Sequence, residues 1–103
     1  MKRGEIWWAD LPLPMGRRPV VLLSRDEAYN VRTDITAAGV TATIRNLPSE
    51  VILTKEEGLY KASVVSFDSI YTFRKELLKK RICTLKPEKI ARINRAICFA
   101  LAL

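Results

Sequence analysis

The stretch Gly16-Arg17-Arg18-Pro19-Val20-Val21-Leu22-Leu23-Ser24 sets two guanidinium groups directly before a proline and a run of apolar residues. The residue before a proline is pushed towards extended backbone, and a proline is tolerated as the first residue of a strand. The apolar run has no polar alternation, which predicts a central strand buried on both faces. We therefore expect Arg18 at the entrance of this strand, where its forked donors suit an anion. A surface arginine that only flanks a core strand is the other interpretation.

Length and charge limit the class of protein. The chain has 103 residues, which fits a single domain over residues 1–103. Its 18 Lys and Arg outnumber 11 Asp and Glu, and the net charge of +7 favours a polyanionic partner such as nucleic acid or an acidic protein segment. The basic residues are scattered along the chain, which argues against a membrane surface as the partner. Because no apolar run has the length of a membrane span or of a signal peptide, we expect a soluble, cytoplasmic protein.

Cysteine and histidine usage argues against a metal site. The spacing of Cys83 and Cys98 fits no metal-binding motif, and the chain contains no histidine. We interpret both cysteines as small buried hydrophobic residues. The absence of histidine removes the usual general base at neutral pH, so any catalysis has to use other groups.

The apolar pattern along the chain predicts a mainly β domain with one C-terminal α-helix. Predicted strands cover residues 5–11, 20–23, 38–45, 50–54, 62–67, 70–73 and 82–84, with a single helical turn over 26–30 and a short helix or loop over 74–80. The terminal helix begins at Lys86-Pro87-Glu88, and its apolar stripe is Ile90, Ile93, Ile97 and Leu101. Several short strands joined by tight turns indicate a small β barrel, closed or half open.

Two polar features interrupt this pattern. In the predicted third strand the even positions 38–44 are apolar, whereas Thr41, Thr43 and Arg45 fall on the opposite face. Hydroxyls beside a cation can meet an anion or a sugar, although β propensity on a solvated face explains them equally. Further along, Asp68-Ser69 separates two apolar runs. This pair is either a capping turn or a carboxylate in a partly desolvated cleft.

The chain resembles the MazF/PemK (Kid) toxins of type II toxin–antitoxin pairs. The matching segments are residues 2–11, 18–24, 39–41 and 67–73, together with the terminal helix. The resemblance implies an SH3-like barrel that acts as a homodimer and is silenced by an acidic antitoxin. It also implies a sequence-selective endoribonuclease that needs no metal or cofactor. Single-stranded RNA would be cut by attack of a ribose 2′-hydroxyl, leaving 2′,3′-cyclic phosphate and 5′-hydroxyl ends.

Site residues follow from the same resemblance. The family's catalytic pair matches Arg18 and Thr41, and Asp68 falls at an acidic position implicated in some members. Arginine is a poor base, since its pKa exceeds roughly 12. Our hypothesis is that Arg18 stabilises charge on the phosphorane, Thr41 positions the phosphate or the 2′-hydroxyl, and Asp68 is the candidate base. The expected RNA-binding residues are Arg17, Thr43, Arg45 and Ser69.

The chain also departs from the family pattern, and two other functions compete with the ribonuclease. The segment Leu13–Arg17 is shorter than the family's loop and lacks its serine or histidine and its glutamine, and Ser69 replaces a second glutamine. We therefore expect a target sequence unlike that of the best-known members. One alternative is a non-catalytic RNA-binding barrel. The other is a topoisomerase-poisoning toxin of the CcdB group, whose Trp-Gly-Ile ending is replaced here by Ala100-Leu101-Ala102-Leu103.

Overall fold

A computed structural model describes residues 1–103 as one six-stranded antiparallel sheet with two α-helices. The strands are β1 (Glu5–Asp10), β2 (Arg17–Leu22), β3 (Asp34–Thr41), β4 (Glu50–Leu53), β5 (Ser63–Arg74) and β6 (Leu78–Thr84). The helices are α1 (Ala28–Val31) and α2 (Pro87–Leu101), and single 3-10 turns cover Lys55–Glu57 and Lys75–Leu77. No helix combines the length and the apolar composition needed to cross a membrane.

The sheet curls into a half-open barrel. Its strand order is β4-β5-β3-β2-β1-β6, and every neighbouring pair is antiparallel. The turn after β4 lies against β6 and brings the two edge strands towards each other. Gly58 in this turn has φ +83°, and an added Cβ would lie 3.0 Å from Cγ2 of Ile82, so only glycine fits there without strain. The mainly β barrel with a C-terminal helix, as predicted, is confirmed.

Both faces of the sheet are covered, which explains the uninterrupted apolar run of β2. Val21 faces an inner core that contains Ile6, Phe67 and Ile93. On the opposite face, Val20 and Leu22 pack in an outer cluster of buried residues: Ala9, Leu11, Tyr29, Ile35, Ala37 and Leu78. Val20, Val21 and Leu22 are completely buried. The predicted central strand, buried on both sides, is therefore confirmed.

Helix α2 packs across the open side of the barrel. Pro87 lies in its first turn, as predicted, where the missing N–H breaks no helical bond. Ile93 is buried, and Gly4 permits close approach because an added Cβ there would lie 2.9 Å from Cδ1 of Ile90. Leu101 is 51% exposed, so its assignment to the apolar stripe was wrong. At 3.6 residues per turn Ala100 returns to within about 20° of Ile93, whereas Leu101 points about 80° away.

The same helical geometry corrects the interpretation of one cysteine. Cys83 on β6 is half-buried, in agreement with a small packing residue, and burial raises the pKa of its thiol. Cys98 is exposed. It lies five residues after Ile93, which places it about 140° around α2 on the outer face. The prediction that both cysteines are buried holds only for Cys83.

Strand β3 ends at Thr41, so the prediction of a third strand over 38–45 was wrong at both ends. In the ladder with β2, Leu23 donates to Thr36, and hydrogen-bonded pairs recur at every second residue towards Pro19. Pro19 has no N–H and cannot complete the next pair, which weakens pairing beyond this point. The chain then turns, with the amide of Thr43 bound to Oγ1 of Thr41.

Strand β5 runs through the pair Asp68-Ser69, which the sequence pattern treated as an interruption. Ala38 pairs with Ile70 and Val40 pairs with Val65, so four residues of β5 lie opposite one residue of β3. This bulge bends the strand; both halves of β5 pair with β3, and the first half pairs with β4 as well. The predicted helix or loop over 74–80 was also largely wrong, because β6 already begins at Leu78.

Candidate active site

Strand register brings together two of the residues expected in a catalytic site. Strands β2 and β3 pair Val20 with Gly39 and Val21 with Ala38. The paired residues end at Val20 and Gly39, and extending the same register past Pro19 would set Arg18 opposite Thr41. Directly opposed residues of an antiparallel pair project from the same face of the sheet with neighbouring side chains. Arg18 and Thr41 therefore form the centre of the candidate site, on the face opposite α2.

The guanidinium of Arg18 is held in place by the loop before β2. Its Nε and Nη2 donate hydrogen bonds to the backbone oxygen of Met15, at 3.1 and 2.9 Å. Met15 in turn packs against the outer cluster. Arg18 forms no ion pair and is half-buried, so its remaining N–H groups are available to a ligand. The short loop thus fixes the orientation of the guanidinium through Nε and Nη2 and leaves its other N–H groups free to bind an anion.

Gly39, two residues before Thr41 on β3, lies under the ring of Tyr71, to which the sequence analysis assigned no role. An added Cβ on Gly39 would lie 3.1 Å from Cε2 and 3.6 Å from the hydroxyl oxygen of Tyr71. The phenol therefore covers Gly39, two residues before Thr41 on the same face of β3. The hydroxyl of Thr41 accepts the amide of Thr43 at 3.2 Å and keeps its own proton to donate. A larger residue at position 39 would push the phenol away from this position.

Asp68 lies apart from the pair. It sits in the bulge of β5, and Oδ2 accepts a hydrogen bond of 2.6 Å from the hydroxyl of the buried Ser49, just before β4. Strand β5 is separated from β2 by β3, and two inter-strand spacings amount to about 10 Å. The carboxylate is therefore turned towards β4 and away from Arg18. Ser69 lies half-buried in the same bulge. The catalytic role of Asp68 and the RNA-binding role of Ser69 stay predictions.

The other basic and hydroxyl residues are placed around the end of β3. Thr43 and Arg45 do not belong to the strand, which corrects their predicted alternation with Thr41; both are exposed in the loop that follows it. That loop is braced by Glu50, whose Oε1 accepts the amide of Arg45 at 3.1 Å. The guanidinium of Arg17 lies over the ring of Trp8, with 5.1 Å between Cζ and the ring centroid.

Sequence reasoning missed the residues that line a cavity beside this pair. Trp8 shared the core face of Ile6 in the pattern, yet it is only half-buried and lines the cavity with Thr41, Tyr60 and Lys61. Residues Tyr60 and Lys61 lie in an exposed loop with no periodic signal. Only the closure of the barrel, which brings the turn after β4 near β1, places them there.

Charge around the site is unbalanced. Two ion pairs form in the whole chain, Arg74 with Glu76 at 2.8 Å and Arg81 with Glu5 at 3.4 Å. The site arginines are therefore free of carboxylate partners: Arg17, Arg18 and Arg45. Uncompensated cations at one end of the sheet attract a polyanion. No three His, Cys, Asp or Glu side chains cluster in a way that suits a metal ion.

Comparison with known proteins assigns the family. A family model described as "PemK-like, MazF-like toxin of type II toxin-antitoxin system" matches residues 2–101. The chain is 39% identical over 100 residues to a Mycobacterium tuberculosis protein named "Probable endoribonuclease MazF5", with 96% of this chain and 87% of the relative covered.

Two solved structures agree with this assignment. The Mycobacterium tuberculosis toxin MazF-mt6 superposes with a TM-score of 0.89 at 32% identity and covers 96% of this chain and 97% of its own. A mycobacterial endoribonuclease in complex with its cognate antitoxin gives a TM-score of 0.87 at 26% identity, over 100% of this chain and 96% of its own. The chain belongs to the PemK-like, MazF-like toxins of type II toxin–antitoxin systems.

Proposed function

We propose that this chain is a sequence-selective, metal-independent endoribonuclease that cuts single-stranded RNA in the cytoplasm and thereby inhibits translation. The observation that carries the proposal is the guanidinium of Arg18, which the Met15 oxygen holds in place at the end of β2 where an extended β2–β3 register would put Thr41 opposite it. The names of the mycobacterial relatives support the same activity. The net charge of +7 suits a polyanionic substrate.

The proposed reaction is a transesterification within the RNA strand. The 2′-oxygen of one ribose attacks the adjacent phosphorus and gives up its proton, the bond from phosphorus to the 5′-oxygen breaks, and that oxygen takes up a proton from water. Charge builds up on the phosphorane oxygens, where a preorganised guanidinium stabilises it. Arg18 supplies this guanidinium, and its fixed position avoids reorganisation during the reaction. The Thr41 hydroxyl donates to the phosphate or orients the 2′-hydroxyl.

Asp68 is the proposed acceptor of the 2′ proton. It is exposed, and its carboxylate keeps one oxygen free while the other binds Ser49. The separation of about 10 Å between β5 and β2 requires the RNA to lie across β3, so that the attacking ribose is near the bulge and the phosphate is near Arg18. Removing the Asp68 carboxylate tests this assignment separately from the Arg18–Thr41 pair.

We further propose that the protein is a homodimer joined through the edge formed by β4 and α2. A cavity of about 460 Å³ lies there, between Ile52 and Phe99, with Arg92 and Arg95 on its rim. Ile52 is 46% exposed and Phe99 is 61% exposed. Apolar side chains on an unpaired edge strand are typical of a surface that another chain covers. Phe99→Asp is expected to convert a dimer to a monomer in sedimentation experiments.

The proposed protein partner is an acidic antitoxin. One structural neighbour was solved with its cognate antitoxin, and the excess of basic residues in this chain favours an acidic segment. An antitoxin that covers the Arg18–Thr41 face would block RNA. Co-expression with the acidic product of an adjacent gene is expected to relieve growth inhibition and to yield a complex that leaves RNA intact.

The activity is tested by incubating the purified protein with a long single-stranded RNA in EDTA and mapping the ends. Discrete cuts with 2′,3′-cyclic phosphate and 5′-hydroxyl ends are expected. In Arg18→Ala and Thr41→Ala the cuts should disappear while most of the RNA affinity remains. Intact RNA with full binding by the parent would instead establish a non-catalytic RNA-binding barrel.

A further inference from the structure

A second cavity opens beside Thr41, at the mouth of the barrel. Its volume is about 220 Å³, and its walls include Trp8 and Pro19 on neighbouring strands, Thr41 at the end of β3, and Tyr60 and Lys61 from the loop before β5. Pockets that hold drug-sized ligands measure roughly 300–1,000 Å³, so this cavity suits a smaller, flat group. Thr41 is the one member of the proposed catalytic pair that lines this cavity, and Arg18 is not among its wall residues.

The walls combine aromatic rings with unpaired cations. The ring of Tyr60 is 94% exposed and is therefore accessible to a ligand at the cavity. The half-buried ring of Trp8 carries the Arg17 guanidinium at 5.1 Å. Neither Arg17 nor Lys61 has a carboxylate partner. Rings with adjacent cations are the arrangement with which proteins hold single-stranded nucleic acid, since bases stack on the rings and phosphates meet the cations.

We propose that this cavity holds one nucleobase of the RNA next to the scissile phosphate, and that Tyr60, Lys61 and Trp8 determine which base is accepted there. The inference rests on the proposed ribonuclease activity and adds a specificity subsite to it. Lys61 Nζ offers only donors, so it favours a base that turns an acceptor, a carbonyl oxygen or a ring nitrogen, towards it. An apolar peptide is a poorer occupant, because it leaves both cations without an anion.

Tyr60 is the residue to change, because its exposure makes its removal harmless to folding. Tyr60→Ala removes the ring and Tyr60→Phe keeps it. Val31→Ala is the matched control, since Val31 is 72% exposed on α1, in neither the proposed pair nor the cavity. Two readouts are compared in all variants. One is the base preference at each position around the cuts in a mixed-sequence RNA. The other is the Kd for a mixed-sequence 2′-fluoro RNA, which lacks the attacking hydroxyl.

Stacking of one base corresponds to about a 5- to 150-fold change in affinity. Tyr60→Ala is expected to raise the Kd at least about fivefold and to flatten the preference at one position beside the cut, whereas Tyr60→Phe behaves as the parent. Parent-like affinity and parent-like base preference in Tyr60→Ala would overturn the inference even though cleavage persists. If the parent leaves RNA uncut, the proposed activity fails and the Kd comparison alone decides whether the cavity binds a base.

Discussion

Replacing Arg18 by lysine separates the geometry of the guanidinium from its charge. In the parent, Nε and Nη2 of Arg18 bind the Met15 oxygen, and the remaining N–H groups are available to a ligand. Lysine keeps a positive charge but carries a single ammonium on a flexible stem. It cannot bind Met15 and a phosphorane oxygen in the same fixed arrangement. The variant therefore loses preorganised donors, and the net charge of the site is unchanged.

The size of the effect follows from the hydrogen bonds that lysine cannot form. Removing one preorganised donor to a transition-state oxyanion costs about 10²–10³ in kcat. We expect a decrease in kcat of that order for Arg18→Lys, with little change in KM because the charge persists. Losing the two hydrogen bonds to Met15 costs about 1–2 kcal/mol of unfolding free energy, which lowers the Tm by roughly 4–15 °C in a domain of this size. The variant should therefore remain folded at 25 °C.

The assay is single-turnover cleavage of an RNA oligonucleotide that contains one mapped site. Arg32→Lys is the matched control, because Arg32 is exposed just after α1 and forms no ion pair. Circular dichroism at the assay temperature confirms that each variant is folded. A kcat for Arg18→Lys within tenfold of the parent would refute the argument, since a point charge would then suffice.

Three further predictions concern Glu5, Ile93 and Asp68. Burial alone would raise the pKa of Glu5, but hydrogen bonds from the Trp7 indole and a backbone amide lower it by more than burial raises it. The pKa of Glu5 is therefore below its ordinary value of 4.5. The stability that Glu5 contributes is therefore complete above pH 4.5 and is lost as the pH falls through the lower pKa of the folded state. Glu5→Gln should lower the free energy of unfolding by about 1–3 kcal/mol at pH 7, measured by urea titration, and should reduce this acid dependence. A variant as stable as the parent at pH 7 would contradict the prediction. Because Ile93 is buried and Val31 is exposed, Ile93→Ala should lower the free energy of unfolding by about 2–5 kcal/mol in the same titration, and Val31→Ala by less than about 0.5 kcal/mol. Asp68→Asn should lower kcat by about 10²–10⁴ if Asp68 is the base, and a parent-like rate would remove it from the mechanism.

The parts of the fold that sequence predicted are those with a strong local signal. The apolar run after Pro19 indicated a strand buried on both faces, and it lies between two hydrophobic clusters. Pro87 and the spacing from Ile90 to Ile97 located α2. The complete barrel was predicted from the segments that the chain shares with the toxin family, and not from local patterns alone.

The errors arose where distant parts of the chain decide the structure. Strand β3 pairs with β2 only as far as Gly39 and reaches Thr41 through its pairing with β5, and the pattern within 38–45 contains no information about either neighbour. The bulge at Asp68 depends on the register of β5 against β3, which is set by residues distant in sequence.

In the candidate site, too, the sequence predicted some residues and missed others. The pair Arg18 and Thr41 was identified from family segments, and its catalytic role stays a prediction; the β2–β3 register places the two residues opposite each other only when it is extended past Pro19. Of the cavity residues, Trp8 lies in a family segment that assigned it no role, and Tyr60 lies in a loop outside the family segments. The two residues line the same cavity only because the barrel closes, and the hydrophobic periodicity of the sequence does not predict that closure.

The most direct test of the central proposal uses an RNA oligonucleotide with a single 2′-deoxy nucleotide on the 5′ side of the mapped cut. If the Arg18–Thr41 site promotes attack by that 2′-hydroxyl, cleavage at this position should vanish while the Kd stays within a few-fold of the all-ribose RNA. Continued cleavage of the substituted strand at the same bond would show that water or another group attacks the phosphorus, and would contradict the proposed reaction.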